Sequence, residues 1–486
     1  MFGLNSSDHT MKDISIGIDA SGERTESDSM GNVEVPADKY WGAQTQRSLQ
    51  HFSIGNDRMP KQVYHAYGVV KKAAALINQA DGRLEDWKAA AITRTTDEVI
   101  AGKLDEHFPL YVWQTGSGTQ SNMNVNEVVS NRCIQLLGGK LGSKAPVHPN
   151  DDVNMGQSSN DTFPTAMHIA SVKELDDHLV PQLDALAKAI EVKWADWKDV
   201  VKIGRTHLED AVPLTVGQEW SGYAHQIRDA MADVAHARQG LLELAIGGTA
   251  VGTGLNAPPG FSVKVAAKIA ELTGLPYVTA PNKFAAQGSL DAMARANASL
   301  RGVAVALMKI ANDMRWLASG PRCGFGELLL PANEPGSSIM PGKVNPTQCE
   351  AIVMIAIQVI GDDTAVAFAG SQGNFELNAM RPIVINNFLH SARILADGCE
   401  KFRLYSVEGT KLNEKRIAQY VEQSVMLVTA LSPVVGYDKA SKIAHKAMDD
   451  DLTLRQAAIK SGDVSERQFD EVVNPSKMVG HGLAGA

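Results

Sequence analysis

Helical periodicity is the feature that most constrains the fold of this chain. Apolar residues recur at steps of three and four over residues 169–190, 220–244 and 290–317. The first stretch contains Pro181, which should kink its helix. Residues 351–360, AIVMIAIQVI, are apolar almost all round, and such a helix must be enclosed at the centre of a bundle or between subunits. The pattern predicts a mainly α fold with a long-helix bundle that continues across an oligomer interface.

Strand signals are few, and residues 33–35 and 200–203 are the short candidates. We therefore expect an acidic disordered lead-in, a mixed helix-and-loop domain, a central helix-bundle domain and a small C-terminal helical domain. Their predicted bounds are 1–30, 31–158, 159–414 and 415–486.

Charge and cysteine content argue against several functional classes. A net charge of −9 gives no basic footprint, so nucleic acid is not expected as the main partner. The four cysteines form no CxxC pair and are too sparse for a disulfide framework, which favours a reducing compartment. We expect no bilayer-spanning segment, and the acidic N-terminal residues do not fit a signal or transit peptide. A cytoplasmic protein without a membrane partner is predicted.

The segment GSSIMPGKVNP at 336–346 has two glycines and two prolines, which predicts a loop able to move. It contains Ser337, Ser338, Lys343 and Asn345. A lysine charge and a directional amide donor suit the binding of one carboxylate. The alternative is a solvated surface loop.

His207 follows a strand-like segment in GRTH at 204–207. A single histidine is more often structural than catalytic. Glu350, which opens the apolar helix, would change that interpretation if the two side chains met, because a carboxylate raises the basicity of an imidazole and holds its orientation.

Three further polar segments are candidates for anion binding. Ser158, Ser159 and Asn160 precede a helical pattern, so their hydroxyls and free backbone amides form an anion site or only a helix cap. The glycines of GSGTQSNMN at 116–124 allow backbone amides to approach a ligand, although no P-loop pattern is present. HPNDDVN at 148–154 lacks the spacing of a calcium loop and is interpreted as a turn with an auxiliary anion contact.

Together these segments supply hydroxyls, carboxamides, one lysine and one histidine, without a cysteine pair or a metal-ligand cluster. This set suits the binding of a small polycarboxylate and the stabilisation of negative charge that develops on it.

The same segments, GSGTQSNMN, HPNDDVN, GRTH and GSSIMPGKVNP, resemble the fumarase/aspartase superfamily, and most specifically its class II fumarases. The resemblance covers nearly the whole chain from about Gly31. It implies a three-domain fold whose central bundle forms the core of a D2 homotetramer, with active sites assembled from three subunits. It also implies the reversible hydration of fumarate to (S)-malate through an aci-carboxylate carbanion, without a metal or organic cofactor.

The resemblance implies roles for individual residues. Ser337 matches the general base, and His207, supported by Glu350, matches the group that exchanges a proton with the departing hydroxyl through a water molecule. The residues that would bind the substrate are Ser117, Gly118, Thr119, Ser158, Ser159, Asn160, Thr206, Ser338, Lys343, Val344 and Asn345. A second, non-catalytic dicarboxylate site would comprise His148, Pro149, Asn150 and Asp151, although Ala145 stands where the family has a basic residue.

Two alternatives from other classes stay open. One is an enzyme with a different substrate, such as aspartate ammonia-lyase or a hydratase of a methylated dicarboxylate such as mesaconate. The other is a non-catalytic binding protein on the same scaffold, as lens crystallins are in a related branch.

Overall fold

A computed structural model describes residues 9–480 and 482 of the chain. The prediction of a mainly α fold is confirmed. The α-helices are α1 Ala43–His51, α2 Lys61–Ala80, α3 Asp86–Ile100, α4 Thr119–Leu136, α5 Ser159–Glu174, α6 Val180–Asp196, α7 Val216–Gly240, α8 Phe261–Thr273, α9 Lys283–Gly288, α10 Asp291–Leu317, α11 Thr347–Gly370, α12 Arg381–Phe402, α13 Glu414–Gln423, α14 Ser432–Val435, α15 Tyr437–Asp449, α16 Leu454–Ser461, α17 Glu466–Val472 and α18 Pro475–Met478.

Short strands form two-stranded pairs only, within the part of the chain that is described. The strands are β1 Glu23–Asp28, β2 Gly31–Pro36, β3 Val201–Thr206, β4 Glu209–Thr215, β5 Glu243–Leu244, β6 Val278–Thr279, β7 Leu328–Leu329, β8 Gly373–Asn374, β9 Leu377–Asn378 and β10 Lys411–Leu412. The strand candidate at 33–35 is confirmed within β2, and the candidate at 200–203 is confirmed from residue 201, where β3 begins. Turns of 3₁₀ helix occupy Asp105–His107 and Val425–Leu431, and π-helical turns occupy Pro149–Val153, Leu175–Leu179 and Arg403–Val407.

The irregularity expected at Pro181 takes the form of the π-helical turn Leu175–Leu179, which ends just before α6. Proline has no backbone N–H to donate to the carbonyl of Asp177 four residues earlier. A π-turn at this point lets the chain remain helical through the missing hydrogen bond.

The chain divides into two compact units. The described residues of 1–179, 233–301 and 358–394 form unit 1, and those of 180–232, 302–357 and 395–482 form unit 2. These units do not follow the three consecutive domains predicted from the sequence, because the chain runs between them several times through long helices.

Unit 1 is organised around α2, which packs against α3, α4, α5 and α8. Its buried face includes Tyr64, Tyr67 and Val70. Gly68 permits the close approach of α3, since a Cβ at this position would lie 2.7 Å from Cγ1 of Ile100. In unit 2, β3 and β4 form a hairpin against α13, and a separate small core lies among the C-terminal helices. The core residues are Leu427, Leu431, Ile443, Ala447, Leu454, Ala457, Ala458, Val464 and Phe469.

The prediction that residues 1–30 are disordered is wrong for residues 9–30, while residues 1–8 lie outside the described residues. Residues 23–28 form β1, paired antiparallel with β2. Arg132 donates to the carbonyls of Ile14 and Ser15, at 2.8 and 3.2 Å. The acidic charge is compensated locally, since Asp28 pairs with Arg47 at 2.8 Å. The segment therefore packs as part of unit 1.

Helix α11 corrects the expectation about membrane-spanning segments. An 18-residue window of this 24-residue helix has a mean hydropathy of 1.7, so the helix meets the length and composition of a membrane-crossing one. Asp362 and Asp363 nevertheless lie buried in it, where they accept hydrogen bonds from Ser391 at 3.0 Å and Asn297 at 2.9 Å. Carboxylates that are paired with neighbouring helices identify the core helix of a protein rather than a lipid-facing one.

Candidate active site

Two helix N-termini in unit 1 bring three hydroxyls together. Thr119 is the first residue of α4 and Ser159 the first residue of α5. The hydroxyl of Thr119 is hydrogen-bonded to that of Ser117 at 2.7 Å and to that of Ser159 at 2.8 Å. We call Ser117, Thr119 and Ser159 the hydroxyl cluster. Because the positive ends of both helix dipoles lie at the cluster, it has the properties of an anion site.

The segment 158–161 forms a capping box, which positions the start of α5. Ser158 accepts from the backbone N–H of Asn160, and Asp161 accepts from that of Ser158 at 3.0 Å. Asp161 also accepts from the backbone N–H groups of Gly247 and Thr249, both at 2.9 Å. Capping therefore occupies the Ser158 side chain, while the cap leaves Ser159 directed to the cluster.

The glycines of the GSGT segment are required by packing. A Cβ at Gly116 would overlap the carbonyl oxygen of Ala379, and one at Gly118 would overlap the ring of Phe163. Gly118 has a φ of +78°, a conformation that other residues rarely adopt. The sequence predicts that these glycines let a ligand approach the backbone. The approach that the structure shows is that of other parts of unit 1.

Three cations lie near the hydroxyl cluster, and sequence reasoning did not identify them. Lys71 is buried, and its Nζ donates to Asn122, Asn154 and Gln157 at 2.8, 2.9 and 3.0 Å. Burial lowers the pKa of Lys71 to about 7. A lysine on the apolar face of a helical pattern was the available signal.

Arg381 and Lys283 are the other two cations. Arg381 is buried and donates to the carbonyls of Ser117 and Gln287, at 3.3 and 3.0 Å. Lys283 begins α9 and donates to the carbonyl of Leu244 at 2.6 Å. Burial lowers the pKa of Arg381 to about 10 and that of Lys283 to about 8.

In unit 2, His207 is at the tip of the β3–β4 hairpin. Thr206 pairs with Glu209, so only His207 and Leu208 form the turn, with φ of +58° and +64°. A two-residue hairpin turn of this type favours glycine or asparagine, and larger side chains in it are strained. Both residues, and Thr206, are exposed in the single chain.

The base of this hairpin is held by a buried ionic network. Glu327 forms ion pairs with Arg205 at 2.6 Å and with Lys202 at 2.9 Å. Lys202 also contacts Glu219 at 2.8 Å. The network fixes the strands that present the strained turn, and sequence reasoning did not identify it.

The loop 336–346 in unit 2 is folded by its own side chains. The Ser337 hydroxyl accepts from the backbone N–H groups of Ile339 and Met340, at 3.2 and 3.0 Å. Asn345 donates from Nδ2 to the carbonyl of Gly336 at 2.6 Å. Ser338, Lys343 and Val344 are exposed. In this conformation Asn345 stabilises the loop itself.

Glu350 lies exposed in the first turn of α11. Among the described residues of the single chain, no hydrogen bond joins it to His207. The expected His–Glu pair is therefore not formed within one chain.

The segment 148–151 forms a closed local structure. His148 caps the π-helical turn, and its Nδ1 accepts from the backbone N–H groups of Asn150 and Asp151, at 3.2 and 3.1 Å. Lys144, His148, Pro149 and Asn150 line a cavity of about 160 Å³ that Glu26 and Asp28 also line. The N–H groups that would bind a second dicarboxylate are used by His148 here, so that site stays a prediction.

Comparison with known proteins gives the family. The family model described as "Lyase" matches residues 31–361, and the one described as "Fumarase C C-terminus" matches residues 427–480. A class II fumarate hydratase of Methanosarcina acetivorans is 69% identical over 468 residues, which are 96% of this chain and 97% of that protein. The mitochondrial fumarate hydratase of Saccharomyces cerevisiae is 55% identical over 459 residues, or 94% of each chain.

Among solved structures, a class II fumarase from Schistosoma mansoni has a TM-score of 0.92 and 42% identity, covering 94% of this chain and 99% of that one. The helical fold and the family matches together define a lyase of the fumarase/aspartase superfamily. Within that superfamily, the chain belongs to the class II fumarases. The resemblance inferred from the four motifs is thus confirmed.

Proposed function

We propose that this chain hydrates fumarate reversibly to (S)-malate, at a site formed by the hydroxyl cluster, the Ser337 loop and the His207 hairpin. The activity is supported by the relatives above, which are named as class II fumarate hydratases. The structural observation that carries the site assignment is the hydroxyl cluster, where two helix N-termini meet. A small dicarboxylate is the substrate class.

The two carboxylates are bound by hydroxyl, amide and ammonium donors. Thr119 and Ser159 offer hydroxyls at helix N-termini, and Asn160 adds an amide that donates to the carbonyl of Ala250 at 2.8 Å. Thr206, Ser338, Lys343 and Asn345 supply the remaining donors. Ser117, Gly118, Ser158 and Val344 line the site. Fixed donors of this kind stabilise the extra charge of an aci-carboxylate.

In malate dehydration, the Ser337 Oγ removes the C3 proton as an alkoxide. The electron pair of the C–H bond moves into the adjacent carboxylate to give the aci-carboxylate dianion, and then forms the double bond as the C2 hydroxyl leaves. The backbone N–H groups of Ile339 and Met340 already donate to the Oγ atom that carries the negative charge. These two donors support the alkoxide.

His207 gives a proton, through a bound water molecule, to the departing hydroxyl, which leaves as water. The Glu350 carboxylate orients the imidazole and stabilises its protonated form. The exposed, strained turn at His207 and the exposed carboxylate of Glu350 support a pairing between copies of the chain. Strain held in a well-anchored hairpin is typical of a functional position.

The assembly proposed is a D2 homotetramer with active sites that three subunits share. Family members are oligomers, and the apolar helix α11 supports the same for this chain. Met354, Ile357 and Phe368 on α11 are 64%, 60% and 70% exposed in the single chain. Burying such side chains between copies stabilises an assembly by about 25 cal/mol per Å².

Two finer assignments belong to the same proposal. His148, Pro149, Asn150 and Asp151 form an auxiliary dicarboxylate site, with Lys144 as its cation in place of Ala145. The enzyme acts in the cytoplasm, although some relatives are named as mitochondrial.

The experiment that tests the function compares malate, aspartate and mesaconate as substrates of the purified protein. Interconversion of malate and fumarate with the highest kcat/KM supports the proposal. Faster ammonia release from aspartate, or faster hydration of mesaconate, would assign the chain to one of the alternatives. No turnover of any of the three would favour a binding protein.

A further inference from the structure

The buried charges behind the hydroxyl cluster do not balance. Lys71, Lys283 and Arg381 all lie close enough to Asp161 to interact with its charge. Among the described residues, none of the three donates to a carboxylate: their partners are side-chain amide oxygens and backbone carbonyls. Burial raises the pKa of Asp161, whereas the three backbone N–H groups that donate to it favour its ionised form.

Lys71 and Arg381 are buried and Lys283 is half-buried. Three cations against one carboxylate is a costly arrangement there, because a buried charge is normally paired. The protein as a whole carries a net charge of −9, so its overall field repels a dianion. The local positive excess around Asp161 therefore favours a ligand that brings compensating negative charge.

The geometry of Lys71 favours the charged form. Its Nζ has three acceptors within 3.0 Å, on Asn122, Asn154 and Gln157. Three acceptors match the three donors of an ammonium group, whereas a neutral amine has only two.

Two of the cations, Lys71 and Arg381, also contact residues at or beside the cluster. Gln157 immediately precedes Ser158, and Asn122 lies in the first turn of α4, three residues after Thr119. Arg381 donates to the carbonyl of Ser117 itself. The charges of Lys71 and Arg381 are thus fixed beside the two helix N-termini that form the cluster.

We propose that Lys71, Lys283 and Arg381 form a fixed positive charge that makes the hydroxyl cluster selective for doubly charged dicarboxylates and stabilises the additional charge of the aci-carboxylate. They act through the cluster without touching the substrate, so they are positioning residues. The inference rests on the proposed site at the cluster.

The test uses two inhibitors of similar size, the dianion succinate and its monoamide, the monoanion succinamate. Coulomb energy is proportional to the charge of the ligand. If loss of the Lys71 charge raises the inhibition constant of succinate about tenfold, it should therefore raise that of succinamate only about threefold. The variant is Lys71→Met, and the matched control is Lys72→Met, whose ammonium pairs with Asp97 at the surface.

If Lys71→Met weakens the binding of both inhibitors by the same factor, Lys71 only supports the local structure. If it weakens the binding of neither, Lys71 has no role in binding. Both results overturn the proposal. If Lys71→Met does not fold, Lys283→Met carries the test with the same criterion, because Lys283 is only half-buried at the start of a short helix.

A Thr119→Val variant tests whether the ligand occupies the hydroxyl cluster, independently of the role proposed for the three cations. Unchanged binding of both inhibitors in that variant would mean that the ligand does not occupy the cluster, whatever Lys71 does. Fumarate hydration by the unmodified enzyme tests the activity independently of both.

Discussion

The Thr119 and Ser159 hydroxyls lie 2.8 Å apart, although 40 residues separate them in the chain and each begins a different helix. This contact places the positive ends of α4 and α5 at one point. The GSGT and SSND segments are each an ordinary helix start, and together they form the hydroxyl cluster.

We expect Thr119→Val to weaken dicarboxylate binding with little change in folding. It removes one hydroxyl from the cluster, and a lost hydrogen bond to a charged ligand costs about 1.5–3 kcal/mol. KM for fumarate should therefore rise by about tenfold or more. Thr429→Val is a matched control, since Thr429 is exposed and donates only to the carbonyl of Met426. An unchanged KM in Thr119→Val would remove the cluster from the site.

We expect Ser337→Ala to lower kcat for malate dehydration by about a thousandfold or more, because the variant lacks the atom that takes the proton. His207→Asn should lower kcat less, because water partly replaces the histidine as the proton carrier. Steady-state kinetics and circular dichroism on the same samples separate chemistry from folding. Near-normal turnover of Ser337→Ala would show that another group is the base.

Activity should survive chelators and exposure to air. The Ser337 mechanism requires neither a metal ion nor a redox centre, whereas hydratases that hold an iron–sulfur cluster through cysteines lose activity on oxidation. The measurement is fumarate hydration before and after dialysis against EDTA. Strong inhibition that added metal reverses would contradict the metal-independent mechanism.

Stability should depend on pH through His390. The hydrogen bond from its Nδ1 to Asp362, at 3.0 Å, raises the pKa of His390 above its usual value. Its stabilising contribution is therefore full below the unfolded pKa of about 6.5 and is lost as the pH rises through the raised folded value. Because the ring is half-exposed, the contribution stays below about 1 kcal/mol.

The comparison for this prediction is the thermal midpoint of His390→Gln against the unmodified protein, at one protein concentration. The difference should be largest near about pH 6 and shrink above about pH 8. A difference that does not vary over this range would mean that the ring contributes by packing alone.

Local sequence patterns predict the long helices and the short strands. The apolar periodicity of residues 290–317 corresponds to α10, and the strand candidate at 200–203 corresponds to β3. Patterns of period 3.6 and clusters of glycine, proline and hydroxyls depend on neighbours in the chain, which a sequence displays directly.

Other features depend on residues far apart in the chain. The hydrogen-bond partners of Lys71 include Asn122 and Gln157, which lie 51 and 86 residues away from it in the chain. The order of the N-terminal segment depends on Arg132, more than a hundred residues away. The strain at His207 requires the β3–β4 register, since nothing in GRTH shows that the turn has only two residues. Pairing and burial of this kind are set by tertiary structure.

The central claim, that copies of the chain share each active site, is tested most directly by hybrid tetramers. Chains with Ser337→Ala and chains with His207→Asn, each nearly inactive alone, are unfolded, mixed in equal amounts and refolded. If Ser337 and His207 of one site come from different subunits, about a quarter of the sites in random tetramers receive both intact groups. Malate dehydration should then recover to about a quarter of the activity of the refolded unmodified enzyme. Hybrids that are tetrameric but no more active than the parent variants would contradict the shared site and place both residues in the same chain.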